Sequence, residues 1–262
     1  MNYMKSRLKA FKCVLGSYKR IGVYDLARFR VLSRCACMGH NILEELGWKR
    51  VTLNHQKSRV DHLLKLSESP WIKPKPIFVE PYLNRKDILP LICQERQNFW
   101  NYRRPDVVFM DSYSELTDQL FVHRKGWQFL ANYTDIDHSN TFSQYFESYG
   151  LLELNELKKL YSSFFSMLRK VYGNIPIIYL HFPTTLDKRT KFQDRGQTIV
   201  EIVDSIAHKF EKLYSMKIPD QIVNNSFKDC SKQTLKDFPY HFNKQVYSYF
   251  AEKIRSLGIR AK

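Results

Sequence analysis

Short continuous apolar runs alternate along this chain with longer stretches in which apolar residues return every third or fourth position. A run of the first kind suits a strand buried on both faces, and a stretch of the second kind suits a helix with one face against a core. Residues 29–33 predict a strand, a turn of small side chains follows, and residues 39–46 carry helical spacing. After the Gly47-Trp48 stop, residues 50–53 predict a second strand and residues 59–66 a short helix. The prolines of residues 70–81 hold that stretch in a loop. Residues 84–100 predict a helix that delivers the chain to the apolar run 104–110, which Asp111 ends. A short helix is expected over residues 115–121. Residues 151–172 form the clearest amphipathic helix, broken by Gly173-Asn174 before the buried-strand run 175–181. A helix over 196–214, a weak strand at 221–223 and a last helix over 245–257 complete the pattern.

Strands alternating with helices imply a parallel sheet covered on both faces, joined by right-handed crossovers. The expected fold is therefore α/β, a three-layer flavodoxin-like domain with a mostly parallel sheet of about five strands. One domain over residues 21–262 is expected, preceded by a basic arm at 1–20, with 111–140 a lid or insertion because part of it lacks clear periodicity and is long for a connection.

Composition narrows the class. At 262 residues with 44% hydrophobic content, the chain is large enough for one generous core. Lys and Arg number 42 against 26 Asp and Glu, a formal charge of +16, which favours polyanionic partners such as a phosphorylated glycan or a nucleotide-bearing donor. The basic residues are scattered rather than gathered into a block, so nucleic acid is disfavoured. Five cysteines, an odd number, argue for free thiols in a reducing compartment, here the cytoplasm. The first twenty residues hold six cations and no acid, without an apolar core of signal-peptide length, and no window reaches the roughly 18 apolar residues of a membrane span. A peripheral place at an anionic inner-membrane face is the alternative location.

Sites in such sheets form beyond the carboxyl ends of the strands, so the turns after Ser33, Met110 and His181, together with Asp237 to His241, are expected to face one cleft. In the turn Ser33-Arg-Cys-Ala-Cys37, Cys35 is the leading candidate nucleophile and Ser33 the second. Arg34 and the following helix N-terminus would stabilise a thiolate or an oxyanion there. The same residue types also suit small buried groups under a tight turn, and both readings stay open. Metal ligation by Cys35, Cys37 and His40 is disfavoured because paired C-x-x-C spacing is missing, and no cofactor is called for. Asp111, Ser112, Ser114 and Glu115 follow an apolar strand, where polar groups contact ligands or cap the next helix. His138 and His181 are binding candidates. Asp237 suits a helix N-cap and an orienter of His241, which could act as a base.

Three blocks in this order resemble the SGNH/GDSL hydrolase superfamily, in its divergent GSCFA-like branch associated with bacterial capsule and surface-polysaccharide loci. They are Val31 to Cys37, Arg104 to Glu115, and Asp237 to Asn243. The resemblance implies an SGNH-type fold and acyl transfer to, or ester hydrolysis on, a glycan. Cys35 or Ser33 would attack, His241 would take the proton, Asp237 would orient it, and Asn243 would sit beside the substrate with Arg34 and the residues after Met110. Acyl-CoA is the implied co-substrate, and an anionic glycan, a phosphorylated donor and capsule-assembly proteins are the implied partners. The sequence departs from that pattern in three ways: its first block has Ser33-Arg34 for Gly-Ser, its third lacks Gly-x-Asn, and its acid and base are four apart instead of three. The rival implication is a non-catalytic relative that binds a glycan or holds an assembly together.

Overall fold

The computed structural model describes residues 29–69, 72, 76–94, 99–228 and 241–261. The basic arm at 1–20 and Asp237 lie outside the described residues, as do parts of the loop at 70–81 and of the stretch 84–100. Five strands make an all-parallel sheet: β1 Val31–Arg34, β2 Thr52–Asn54, β3 Val107–Asp111, β7 Ile177–Leu180 and β8 Leu213–Met216, in the order β2-β1-β3-β7-β8. The three central strands are buried along their whole length, which is why their sequences are apolar without alternation. Register aligns Leu32 with Leu53 and Val108, and Ile177 with Val108 and Leu213, so one apolar layer crosses the sheet.

Helices cover both faces. On one lie α1 Cys37–Glu45, α8 Asp220–Lys228 and α9 Lys244–Ser256; on the other lie α2 Val60–Glu68, α6 Leu154–Tyr172 and α7 Thr190–Ala207. The buried stripe of α6, Leu157, Tyr161, Phe164, Phe165, Leu168 and Tyr172, repeats at three and four residues and meets α2 and α7. Gly173, with φ of +74°, ends that helix in a backbone conformation a side chain would strain. This is a three-layer flavodoxin-like α/β fold. Among the described residues no helix is long and apolar enough to cross a membrane.

Three predicted elements differ. The helix expected over 84–100 starts only at Leu89, as α3 Leu89–Gln94, because Pro90 fits a first turn but would clash with the preceding carbonyls of a helix begun earlier. Residues 196–214 split into the end of α7 and strand β8: Leu213 and Met216 have helix-like spacing, yet pairing with Ile177 and Leu180 makes them an edge strand. Residues 221–223, expected as a strand, lie in α8, where Asp220 supplies first-turn charge and Val223 is buried.

Between β3 and α6 the chain forms a short α4 Tyr113–Thr117 and then a second, antiparallel sheet. Its strands are β4 Asp118–His123, β5 Gln128–Asn132 and β6 Phe146–Ser148, ordered β5-β4-β6, with α5 Asn140–Tyr145 leading into β6. The helix expected over 115–121 therefore turns into strand at Asp118. Phe121 and Phe129 face each other across β4 and β5 and stack with centroids 5.2 Å apart. With Phe142, Phe146, Leu83, Ile88 and Ile92 they make a small core separate from that of the parallel sheet.

Candidate functional site

The strand order reverses between β1 and β3, whose connections leave in opposite directions, and beyond the carboxyl ends of the strands at such a switch point is where open α/β sheets place their ligand crevice. Polar side chains gather there. Arg34, the last residue of β1, reaches Glu115 on α4 through two bonds, Nη1 to Oε1 at 2.5 Å and Nη2 to Oε2 at 3.0 Å, with side chains only 1% and 0% exposed. The same guanidinium donates to the carbonyls of Ser58 at 2.7 Å and Asp111 at 2.9 Å. Glu115 Oε1 also accepts from the Val60 amide at 3.0 Å. Burial pushes the Arg34 pKa down, but the Glu115 carboxylate outweighs it and holds the guanidinium above its ordinary value. Arg34 thus ties β1, the loop after β2, β3 and α4 together.

Asp111 closes the floor. Its Oδ2 accepts from the Ala36 amide at 2.8 Å and its Oδ1 from the Tyr113 amide at 3.1 Å. Burial pushes its carboxyl up to about 7, against the two amide bonds that favour the charged form. The amide of Cys35 is taken as well: it donates to Asn54 Oδ1 at 3.0 Å, while Asn54 Nδ2 donates to the Cys35 carbonyl at 2.9 Å. The Ser33 hydroxyl also donates to Asn54 Oδ1, at 2.9 Å, and lies 3.0 Å from Cys35 Sγ. Asn54 therefore clamps the turn as a neighbouring strand would. The Ala36 amide, the first backbone donor of the oxyanion site expected after residue 35, is thus already satisfied from within the protein.

Neither candidate nucleophile faces solvent. Ser33 is 0% and Cys35 2% exposed, and burial, then the Asp111 charge, pushes the Cys35 thiol well up. Cys35 sits under α1, and Gly39 is what allows it: a Cβ at residue 39 would lie 2.4 Å from Cys35 Cβ and 2.6 Å from its Sγ. Of the two cysteines in this turn, the exposed one is Cys37, the first residue of α1. Burial of its sulfur and the Asp111 charge raise the Cys37 pKa, while Lys57 and Arg85 pull the other way. Lys57 has a left-handed backbone, φ +61°, and a buried ammonium 2.9 Å from Asp118 and 3.4 Å from Asp135. Exposed Arg85 adds a second contact to Asp135, at 3.6 Å. The small antiparallel sheet and the crevice thus share one charge network.

The other predicted residues scatter. Ser112 accepts from the Phe182 amide at 2.9 Å and joins the tops of β3 and β7, and Ser114 is buried on α4. Asn243 caps α9, its Oδ1 accepting from the Gln245 amide at 3.0 Å. His241 is exposed and lines a hollow of about 410 Å³ with Asn41, Glu44, Glu45, Phe242 and Tyr247, between α1 and α9. Ser33, Cys35 and Asp111 are not among the residues of that hollow. His138 is stacked on Tyr133, centroids 3.8 Å apart, and bonded to its carbonyl. His181 lines a different cavity, between the ends of β7 and β8. Sequence reasoning passed over Asn54, Lys57 and the exposure of Cys37. Only the polar run that follows β2 pointed to the first two.

The fold and the crevice define an open α/β protein whose switch point is built from buried, internally paired charges. Among the described residues, no group of three or more His, Cys, Asp or Glu side chains is arranged to hold a metal ion. Compared with protein-family models and with curated proteins, the chain matches none.

Proposed function

We propose that this chain is an SGNH-like protein of bacterial surface-polysaccharide biosynthesis that binds an anionic glycan or phosphorylated donor at the switch-point crevice, without using Ser33 or Cys35 as a nucleophile. The observation that carries this reading is the burial of both side chains in a turn whose amides are bonded to Asn54 and Asp111. A thiol held well above its ordinary pKa supplies almost no thiolate. The anionic partner follows from the formal charge of +16 and from the exposed Arg85, whose charge reaches Cys37 at the turn. On this reading the protein works at the cytoplasmic side of the inner membrane, beside capsule-assembly proteins.

The test pairs binding with turnover. A polyol-phosphate polymer is expected to bind with an affinity that falls as salt rises and that drops on Arg85→Ala. Acetyl-CoA and a chromogenic acyl ester are expected to give no turnover that Cys35→Ala or Ser33→Ala removes. Turnover lost in either variant would overturn the reading, and so would salt-independent or absent polymer binding. One observation keeps acyl transfer as a second reading: Cys37 is exposed at the start of α1, facing Lys57 and Arg85. Turnover lost on Cys37→Ala alone would select it.

A further inference from the structure

The hairpin that joins β4 to β5 ends in a row of rings. Its turn closes with the His123 amide donating to the Trp127 carbonyl and the Gly126 amide to the His123 carbonyl, both at 2.7 Å, which leaves Arg124, Lys125 and Gly126 as an exposed three-residue loop. Gly126 supplies the left-handed residue that such a loop needs, with φ of +84°. The Lys125 amide donates to His123 Nδ1 at 3.0 Å and so fixes the imidazole. Trp127 stacks on His123 with centroids 4.6 Å apart and on Phe78 with centroids 4.7 Å apart. Tyr145, the last residue of α5, lies parallel to His123 at 6.1 Å, and the Arg124 amide holds its carbonyl at 2.9 Å. Four rings from three segments of the chain form one row.

The row is anchored on one side and bare on the other. Val79 and Phe146, the chain neighbours of Phe78 and Tyr145, are buried in the small core, whereas Phe78 is 42% exposed, Tyr145 45% and Ile77, beside Phe78, 51%. Large apolar side chains exposed together beside polar groups mark a surface that meets a partner. Charge indicates which. The loop holds two cations and no acid, and Lys125 Nζ lies over the Trp127 ring at 5.9 Å. Strand register turns the carboxylate of β6 away: Phe146 pairs with His123, so Glu147, which pairs with Val122, belongs to the opposite face of the sheet. Apolar rings and positive charge therefore share this tip.

That combination suits a lipid surface. Aromatic side chains settle at the headgroup level of a bilayer, and Lys and Arg beside them are drawn to anionic lipid, so the two attractions add. A nucleic-acid base needs an open ring face to stack on, and the stacking of Trp127 is taken up from within the protein by Phe78 and His123. We infer that the β4–β5 hairpin docks this protein on an anionic phospholipid surface, with Ile77, Phe78, Trp127 and Tyr145 at the headgroup level and Arg124 and Lys125 against lipid phosphates. This deepens the placement at the inner membrane proposed above and rests on that placement, not on the ligand of the switch-point crevice.

The test is sedimentation of the full chain with vesicles of phosphatidylcholine alone and of an equal mixture with phosphatidylglycerol. Binding is expected to the mixed vesicles only, and to weaken as salt rises. Arg124→Gln with Lys125→Gln, both in the exposed loop, is expected to weaken it about thirtyfold, the loss of two cations at the surface. The same charge change at exposed Lys158 and Lys159 on α6 is expected to cost much less. Brominated lipid is expected to quench the fluorescence of the unsubstituted protein more than that of Trp127→Phe. Absence of binding to the mixed vesicles would overturn the inference, and so would equal losses in the two double variants or quenching that Trp127→Phe leaves unchanged. Binding of a single-stranded oligonucleotide in place of vesicles, lost in the loop variant, would overturn it as well. Polymer binding at the crevice is measured on the same loop variant and is expected to persist, so the two readings fail separately.

Discussion

The two strand ends of this sheet differ in how far they answer their buried polar groups. At the β1/β3 switch point most are answered internally: both Arg34 Nη atoms by Glu115, the Cys35 amide by Asn54 and the Ala36 amide by Asp111, with Arg34 Nε the exception. At the β7/β8 end a buried imidazole has one nitrogen answered and the other without a partner among the described residues. Each buried nitrogen left without a partner costs about 1–3 kcal/mol, and at the switch point the surrounding bonds of Arg34 offset that cost. The switch point that fold-level analogy marks as the site is, in this chain, also cross-braced by the buried Arg34–Glu115 pair and by Asn54 and Asp111.

The largest effect should come from breaking that bracing. Arg34→Met leaves the Glu115 carboxylate buried without its cation and is expected to cost about 3–5 kcal/mol in urea denaturation. Replacing both, Arg34→Met with Glu115→Leu, should recover much of the loss. A single-variant cost below about 1 kcal/mol would show that the brace is weaker than its geometry.

Proton linkage comes next, because the two ends titrate oppositely through one window. Asp111 is raised in the fold from 3.8 to about 7, so its contribution is present at low pH and is lost as pH rises through about 7. His181 is lowered from 6.5 to about 4, so its contribution is present above pH 6.5 and is lost as pH falls through about 4. Relative to the unsubstituted protein, Asp111→Asn should tilt stability between pH 4 and 7 toward the alkaline side, and His181→Gln toward the acid side, each by up to a few kcal/mol. Urea midpoints across that range check both. Tilts of the same sign would dissolve the contrast.

The smallest effect compares two glycines. Gly39→Ala drives a Cβ into Cys35 Cβ, an atom fixed by the backbone, and should cost about 1–3 kcal/mol in thermal denaturation. Gly196→Ala, at the β7/β8 end, meets Thr184 Cγ2 at 2.6 Å and Oγ1 at 2.8 Å, of which a turn of the side chain relieves one, while Thr184 Cβ stands off at 3.3 Å, and should cost less. Equal costs would mean that both ends are packed alike.

Much of the fold was legible in the chain. The runs around Val31, Val107 and Ile177 are apolar without alternation because both faces of a central parallel strand are covered, and the stripe of α6 repeats at helical period. The edges were not: β8 carries Leu213 and Met216 at helix-like spacing, and only pairing with β7 makes it a strand. The insert after Thr117 was legible as a long irregular stretch, but not as a sheet, because its cross-strand Phe121 and Phe129 pair depends on which residues face each other. Within the site, the polar cluster of Arg34, Asp111 and Glu115 stood out at strand ends, as did His181. Asn54 did not, since nothing near it in sequence shows that its amide will meet Cys35, nineteen residues earlier.

By itself the sequence determined the alternation of strand and helix, and with it a parallel sheet whose polar residues collect at the carboxyl ends, because burial on two faces and helical period are local properties of a chain. Only the tertiary structure decided which of those residues meet water. Ser33 and Cys35 are enclosed while Cys37, two positions on, is exposed, because Asn54, Asp111 and Gly39 converge on the turn from separate elements. Accessibility and charge state follow from partners distant in the chain, and strand order chooses those partners.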